Sequence, residues 1–211
     1  MRDVLFLDLC GTLVKENTTF DFFEKFVLPK KSLFFRFLWR SRLFFLITFA
    51  LRCTPFYFDF TKILCVYALK GYTRRELNNM AVSYVKELSF SPFLLSIINQ
   101  YIAAGYMPVI ISASLDFIVS MVCEELGVPR FYSTELLYSI DGVCEGKMHV
   151  NLQGKKSVFI KKVEFRNSIF ITDNFDDANC INLVNDFFAV CSTRQQVNHW
   201  SSLGAKILYV V

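Results

Sequence analysis

Val4-Leu5-Phe6-Leu7-Asp8-Leu9-Cys10-Gly11-Thr12 is the stretch on which the reading of the chain turns. Four apolar residues in unbroken succession suit a strand buried on both faces of a parallel sheet. The run stops on a carboxylate, so Asp8 would stand at the strand's carboxyl end, before a tight loop containing Gly11. A carboxylate in that position can attack a phosphoryl phosphorus while loop amides hold its oxygens. Gly11 would let the backbone approach the phosphate closely. An aspartate ahead of a glycine turn is also an ordinary structural feature, so this segment needs support from elsewhere.

Two further apolar runs end the same way. Val109-Ile110-Ile111 ends on Ser112, and Ser168-Ile169-Phe170-Ile171 ends on Thr172-Asp173. Open α/β sheets bind ligands at the carboxyl ends of their strands, so three polar strand ends point to one crevice. Ser112 can offer a hydroxyl to a phosphate oxygen, or cap the helix that follows. The run Asp173-Asn174-Phe175-Asp176-Asp177 places carboxylates where, with Asp8, they suit Mg²⁺, a hard cation that takes oxygen ligands and keeps several waters. Acids there equally suit a helix N-terminus. Lys155 or Lys156, after Gly154, can neutralise Asp8 and phosphate, or lie on the surface.

Between the first two strands the sequence predicts helices. Asn17-Thr18-Thr19 caps one carrying Phe20, Phe23 and Phe26 and ended by Pro29, and a second covers about 33–52. A third runs from about Phe58 to Lys70 and stops at Gly71. Thr73 to Glu76 reads as a capping box opening a fourth, to about Leu88. Ser91-Pro92 opens a fifth, to about Ala104. Beyond the second strand we expect a helix over Leu115–Leu126 closed by Gly127, and a hairpin within 133–150 turning at Asp141-Gly142. Helices are expected from Lys155 and over Ala178–Asn185, and closing strands at Phe187–Val190 and Lys206–Val211. The fold class is α/β, a doubly wound parallel sheet with an inserted helical cap: residues 1–16 and 90–211 form the core, 17–89 the cap.

Composition sets outer bounds. The 211 residues suffice for one α/β core and an inserted subdomain. Hydrophobic residues make up 54 % of the chain, and mean hydropathy is +0.37. The formal charge of +4 suits an anionic substrate or membrane surface and lacks any nucleic-acid-binding signature. Seven cysteines without a C-x-x-C pair suggest a reducing compartment rather than a disulfide framework. The N-terminus does not read as a signal peptide, and the longest uncharged apolar run, Leu43–Leu51, falls short of the ~20 residues of a spanning helix. A cytoplasmic protein, or one held at the inner face of a membrane, is the expectation.

Taken in order, strand-Asp8, helical insertion, strand-Ser112, lysine and strand-Asp173 resemble the four motifs of the haloacid dehalogenase superfamily over nearly the whole chain. The branch it looks most similar to has a helical cap after the first motif and contains phosphoserine phosphatases and phosphatidylglycerophosphatase-like enzymes. The resemblance implies a Rossmannoid fold and a Mg²⁺-dependent phosphatase whose nucleophile, Asp8, forms an aspartyl-phosphate. It implies that Gly11, Ser112 and Lys156 hold the phosphate, with Lys155 the alternate lysine. It also implies that Asp8, the backbone carbonyl of Cys10, Asp173 and Asp177 surround the metal, Asp177 as ligand or as support. The partner would be a phosphorylated small molecule or a lipid head group.

Cys10 departs from this pattern. The superfamily usually has an aspartate there, which protonates the leaving group and then activates water. A thiol, with a pKa of about 8.5, replaces it poorly. Three readings follow: slow or specialised hydrolysis, transfer of the phosphoryl group to another acceptor, or phosphate binding without turnover. A second distinctive feature is the segment holding Phe34, Phe35, Phe37, Trp39, Phe44, Phe45 and Phe49 among Arg36, Arg40 and Arg42. It can lie in a membrane surface with Trp39 as interfacial anchor, presenting the site to a lipid phosphate. It can also be buried within the cap or between two copies of the chain.

Overall fold

The computed structural model describes residues 1–52 and 59–209. Strand β1, Arg2–Leu7, is flanked on both sides by parallel neighbours, β2 (Met107–Leu115) and β5 (Phe165–Thr172). Its apolar run is continuous because neither face meets water. Leu5 and Leu7 enter one hydrophobic core, and Val4 and Phe6 enter the other. Complete burial of such a side chain contributes about 1.5–3 kcal/mol. Strands β3 (Arg130–Tyr138), β4 (Cys144–Val150), β6 (Asp186–Cys191) and β7 (Lys206–Tyr209) complete the sheet. Its order is β4-β3-β2-β1-β5-β6-β7, with only the β3–β4 pair antiparallel. Chain order runs outward from β1 through β2 and β3, then resumes on its other side with β5, which puts the topological switch at β1/β5, beside Asp8.

Among the described residues six α-helices lie between β1 and β2: α1 (Thr18–Phe22), α2 (Leu33–Arg40), α3 (Leu43–Arg52), α4 (Phe60–Ala68), α5 (Arg74–Val85) and α6 (Pro92–Ala103). Asn17 caps α1, whose path continues as a π turn and a 3₁₀ turn through Pro29. The Thr73–Glu76 capping box is formed in full. The expected start of the third helix at Phe58 and the final strand residues Val210 and Val211 lie outside the described residues. Beyond β2, α7 (Asp116–Leu126) ends at Gly127 in the left-handed conformation. It stacks on the insertion: Phe117 meets Phe22 with ring centroids 5.1 Å apart.

The single helix expected over 33–52 is two. The chain reverses at Ser41-Arg42, where Arg42 has φ +57°, a conformation costing about 1–2 kcal/mol for a residue with a side chain. A continuous helix of that length would run about 30 Å. Folding back lets α3 bring Phe44 and Phe45 onto Trp39, with ring centroids at 6.2 and 5.3 Å. Trp39 is itself buried, donating from Nε1 to Glu24 Oε1 at 2.8 Å, so of the two readings of this residue the structure shows burial rather than an interfacial anchor.

The other face carries α8 (Lys156–Ile160) and α9 (Arg194–Ser202). Helix α9 was not among the expected elements, although Thr193 and Gln196 form its capping box. The helix expected over Ala178–Asn185 is instead a 3₁₀ segment, Phe175–Leu183. Asp and Asn are poor helix formers. Both ends of this connection are also tied down: Asn174 accepts from Asp176 N at 3.0 Å, and Asn185 Oδ1 accepts from Ser168 N at 2.9 Å.

Candidate active site

Register explains the convergence. Leu7 pairs with Ile110 on one side and Ile171 on the other, so Asp8 follows at the level where β2 and β5 turn polar. Asp8 N donates to Ile171 O at 3.0 Å. Its carboxylate is 3 % exposed, too buried for a charge without partners. Oδ1 accepts from Leu9 N at 2.7 Å, and Oδ2 lies 2.7 Å from Lys156 Nζ.

Lys156 Nζ also reaches Asp177 Oδ2 at 2.8 Å. Burial alone would push this ammonium's pKa down, but Asp8 and Asp177 together reverse that and hold the proton on. Thr172, legible in the sequence only as the polar end of its strand, stands between the two acids: its hydroxyl is 3.1 Å from Asp8 Oδ2 and 2.7 Å from Asp177 Oδ2. It has one proton and serves one carboxylate at a time. Lys155 is exposed, so of the two candidate lysines the structure brings only Lys156 to Asp8. Asp177, expected around the metal, commits Oδ2 to Lys156 and Thr172.

Asp173 is held by Thr12 in a reciprocal pair. The Thr12 hydroxyl donates to Asp173 Oδ1 at 2.8 Å, and Asp173 N donates back to it at 3.0 Å. Burial, then the charge of Asp8, pushes Asp173 up to about 6. Gly11 has φ +73°, and a Cβ built on it would stand 2.1 Å from Asp173 Oδ2. The space that glycine leaves is therefore filled by Asp173, where the sequence reading reserved it for phosphate. Gly11→Ala is expected to cost roughly 1–2 kcal/mol from backbone conformation alone and to displace the Asp173 carboxylate. A thermal midpoint lowered by about 2–4 °C per kcal/mol, with activity lost disproportionately, would bear this out; unchanged activity would contradict it.

Cys10 Sγ accepts from Thr18 N at 3.3 Å and sits 3.1 Å from Ser114 Oγ. Burial, then the Asp8 charge, raises its pKa, so the thiol stays neutral. Ser114 Oγ in turn accepts from Thr18 Oγ1 at 2.7 Å and Ser112 Oγ at 3.0 Å. Ser112 thus spends its proton on Ser114, and rotation of the hydroxyl would free it for a ligand.

A cavity of about 230 Å³ opens over these groups, with Asp8, Cys10, Ser112 and Lys156 in its wall. The insertion contributes Phe20, Asp59 and Lys62 to the same wall. Lys62 is the second residue the sequence concealed. Its Nζ donates to Ala113 O at 2.8 Å, Thr134 Oγ1 at 3.0 Å and Asn151 Oδ1 at 3.0 Å. Burial lowers it to about 8, against the opposing charge of Asp59. Nothing in a lysine within an apolar helix announces such a position; it follows from how α4 docks.

Among the described residues no three His, Cys, Asp or Glu side chains form a metal cage. The donor set nevertheless suits a hard cation. Asp8, Asp173 and Asp177 are three carboxylates against one ammonium, and Asp173 is buried beside the Asp8 charge. Magnesium is commonly bound by one or two carboxylates, with waters and substrate phosphate completing its shell.

Residues 5–181 match the haloacid dehalogenase-like hydrolase family. No curated protein matches the sequence. Among solved structures, a protein of unknown function from Bordetella pertussis Tohama I superposes with TM-score 0.81 at 15 % identity, over 99 % of this chain and 98 % of its own. A phosphoserine phosphatase solved as a phospho-aspartyl intermediate analogue gives TM-score 0.64 at 14 % identity, over 99 % and 93 %. A haloacid dehalogenase family hydrolase from Salmonella enterica serovar Typhi gives 0.68 at 17 %, over 93 % of this chain and 65 % of its own. At these identities the likeness is one of fold.

Proposed function

The chain belongs to the haloacid dehalogenase-like hydrolase family, and from that premise we propose that it is a phosphatase working through an aspartyl-phosphate on Asp8. The observation that carries the proposal is the buried Asp8 carboxylate at the end of β1, with Lys156 Nζ 2.7 Å away. In this reading residues 1–16 and 90–211 are the catalytic core and 17–89 the cap, with a phosphate ester enclosed between them.

Asp8 attacks phosphorus; the new Asp8 O–P bond forms as the ester P–O bond breaks and its electron pair leaves with the alcohol oxygen. Lys156 offsets charge on the phosphoryl oxygens, Asp177 and Thr172 keep Lys156 in place, and Ser112 turns its hydroxyl to the phosphate. Asp8, Asp173 and the Cys10 carbonyl are the groups that would hold Mg²⁺. Bound there, Mg²⁺ would supply electrostatic stabilisation of the phosphoryl group. Water then displaces the phosphoryl group from Asp8 and regenerates the free carboxylate.

Both half-reactions ask for a proton carrier at residue 10, and a neutral thiol is a poor one. Substrates with good leaving groups should therefore react fastest. The donors around Cys10 Sγ, Thr18 N and the Ser114 hydroxyl, are ones a carboxylate would accept equally well. Cys10→Asp is expected to raise aryl-phosphate turnover with Mg²⁺ by about 10²-fold or more, the lower end of what general acid–base catalysis contributes. No gain would mean that residue 10 does not limit the reaction. The neutral Cys10 also favours a second reading, phosphate binding without turnover. Ligand binding with no phosphoenzyme on any ester in a broad panel would establish that one instead.

A further inference from the structure

The charge of this chain is divided unevenly along its length. Residues 25–58 hold seven of its 23 lysines and arginines and none of its 19 aspartates and glutamates. That segment carries +7 and the rest of the chain −3. The same segment supplies α2 and α3, whose outward faces are apolar. Leu33, Phe34, Phe37, Leu46 and Phe49 are 62–76 % exposed, beside the exposed Arg40 and Arg42. Large aromatic side chains grouped in water at this density indicate a surface that is covered in use.

What covers it is indicated by its charge and by what lies behind it. A basic apolar face whose own segment holds no acid complements an anionic surface that is apolar beneath, which describes a bilayer containing acidic lipids. A groove of about 410 Å³ lies between this face and the catalytic cavity. Arg42, Leu46 and Phe49 line its outer part, while Phe20 and Asp59 belong to its wall and to the cavity's as well. It continues from the phosphate site to the aromatic face, with phenylalanines along its length. Among the described residues no helix is long and apolar enough to cross a membrane. Helices α2 and α3, about 12 and 15 Å long, are of a size to lie in the head-group layer.

We propose that α2 and α3 dock the protein on an anionic lipid bilayer, and that the groove takes the apolar part of a lipid phosphate whose head enters the Asp8 cavity. The lipid-phosphate half of this rests on the phosphatase reading above; the docking half does not.

The test uses the full chain with phosphatidylcholine vesicles, with and without phosphatidylglycerol, and two substrates: phosphatidic acid in those vesicles and a water-soluble aryl phosphate. Wild type should sediment with the anionic vesicles, detach at high salt, and remain in the supernatant when the vesicles are neutral. Arg40→Glu should weaken partition by at least fivefold, the effect of losing about one basic charge at the surface. Leu33→Ser/Phe34→Ser/Phe37→Ser should weaken it by about tenfold or more, from lost apolar burial. In both variants, phosphatidic acid hydrolysis should fall with binding while aryl-phosphate hydrolysis stays as it was.

Absence of vesicle binding, with aryl-phosphate turnover intact, would overturn this inference and spare the phosphatase reading. So would a stable wild-type dimer that the triple serine variant converts to monomer without any vesicle binding, since the face would then join two copies. Vesicle binding that persists with no turnover on any ester would sustain the docking face and overturn the lipid-phosphate half together with the phosphatase reading.

Discussion

Asp8→Asn is expected to abolish turnover, by about 10⁴-fold or more, while leaving the fold intact. The size follows from the role: without its carboxylate oxygen there is no covalent intermediate, and deleting the nucleophile of a covalent enzyme typically removes most of the catalytic gain. Stability should hold because the site carries a surplus of negative charge. Asparagine preserves the volume at position 8, and Lys156 keeps Asp177 at 2.8 Å. One of the site's three carboxylates disappears, so the thermal midpoint should stay level or rise. Steady-state kinetics, acid-quenched intact-mass detection of the phosphoenzyme and a melting curve together check this. Residual activity near the wild-type rate would remove Asp8 from the mechanism.

Lys156→Met should be costly to both function and fold. The ammonium is 3 % exposed and is the cation that Asp8 and Asp177 share. Removing one partner of a buried ion pair costs about 3–5 kcal/mol, because the remaining charge stays buried without compensation. Here two carboxylates would be stranded, with only the single proton of Thr172 between them. Urea unfolding should show the loss. Adding Asp177→Asn to Lys156→Met should recover part of the stability and none of the activity, which separates the structural role from the chemical one. Lys155→Met, on the surface, should change neither. Equal stability of Lys156→Met and wild type would contradict the whole charge assignment.

How far such a site can be read without coordinates depended on where each signal lay. The ends of β1, β2 and β5 were legible because a continuous apolar run that breaks on Asp8, Ser112 or Thr172-Asp173 is a local pattern. Thr73 to Glu76 and the Gly127 terminus were legible for the same reason: caps are written in adjacent residues. The reversal at Ser41-Arg42 was not. Local propensity favours continued helix there, and what repays the strained Arg42 is the packing of Phe44 and Phe45 on Trp39, a tertiary contact. Trp39 stayed open between an interfacial and a buried place for the same reason, since sequence gives its spacing but not which face is covered. The 3₁₀ segment that replaces the expected helix at 178–185 is likewise set by its tethers at Asn174 and Asn185. Thr172 and Lys62 matter through partners distant in sequence: Asp8 lies 164 positions from Thr172, and the three partners of Lys62 lie 51 to 89 positions away. The helix at 194–202 is different: its capping box, Thr193 and Gln196, is a local signal present in the sequence.

Lys62 joins the insertion to the strands beneath it. It sits on α4 and fastens to three neutral oxygens of the core, none of them a carboxylate. An ammonium in that setting has surrendered its hydration for three hydrogen bonds and no opposite charge within that trio. Were α4 to lift away, the ion would regain water as it lost its protein partners, so these bonds fix where the insertion seats more than how strongly it is held. Should the chain turn over a phosphate ester as proposed, this junction is where the insertion would part from the strands to admit substrate and release product.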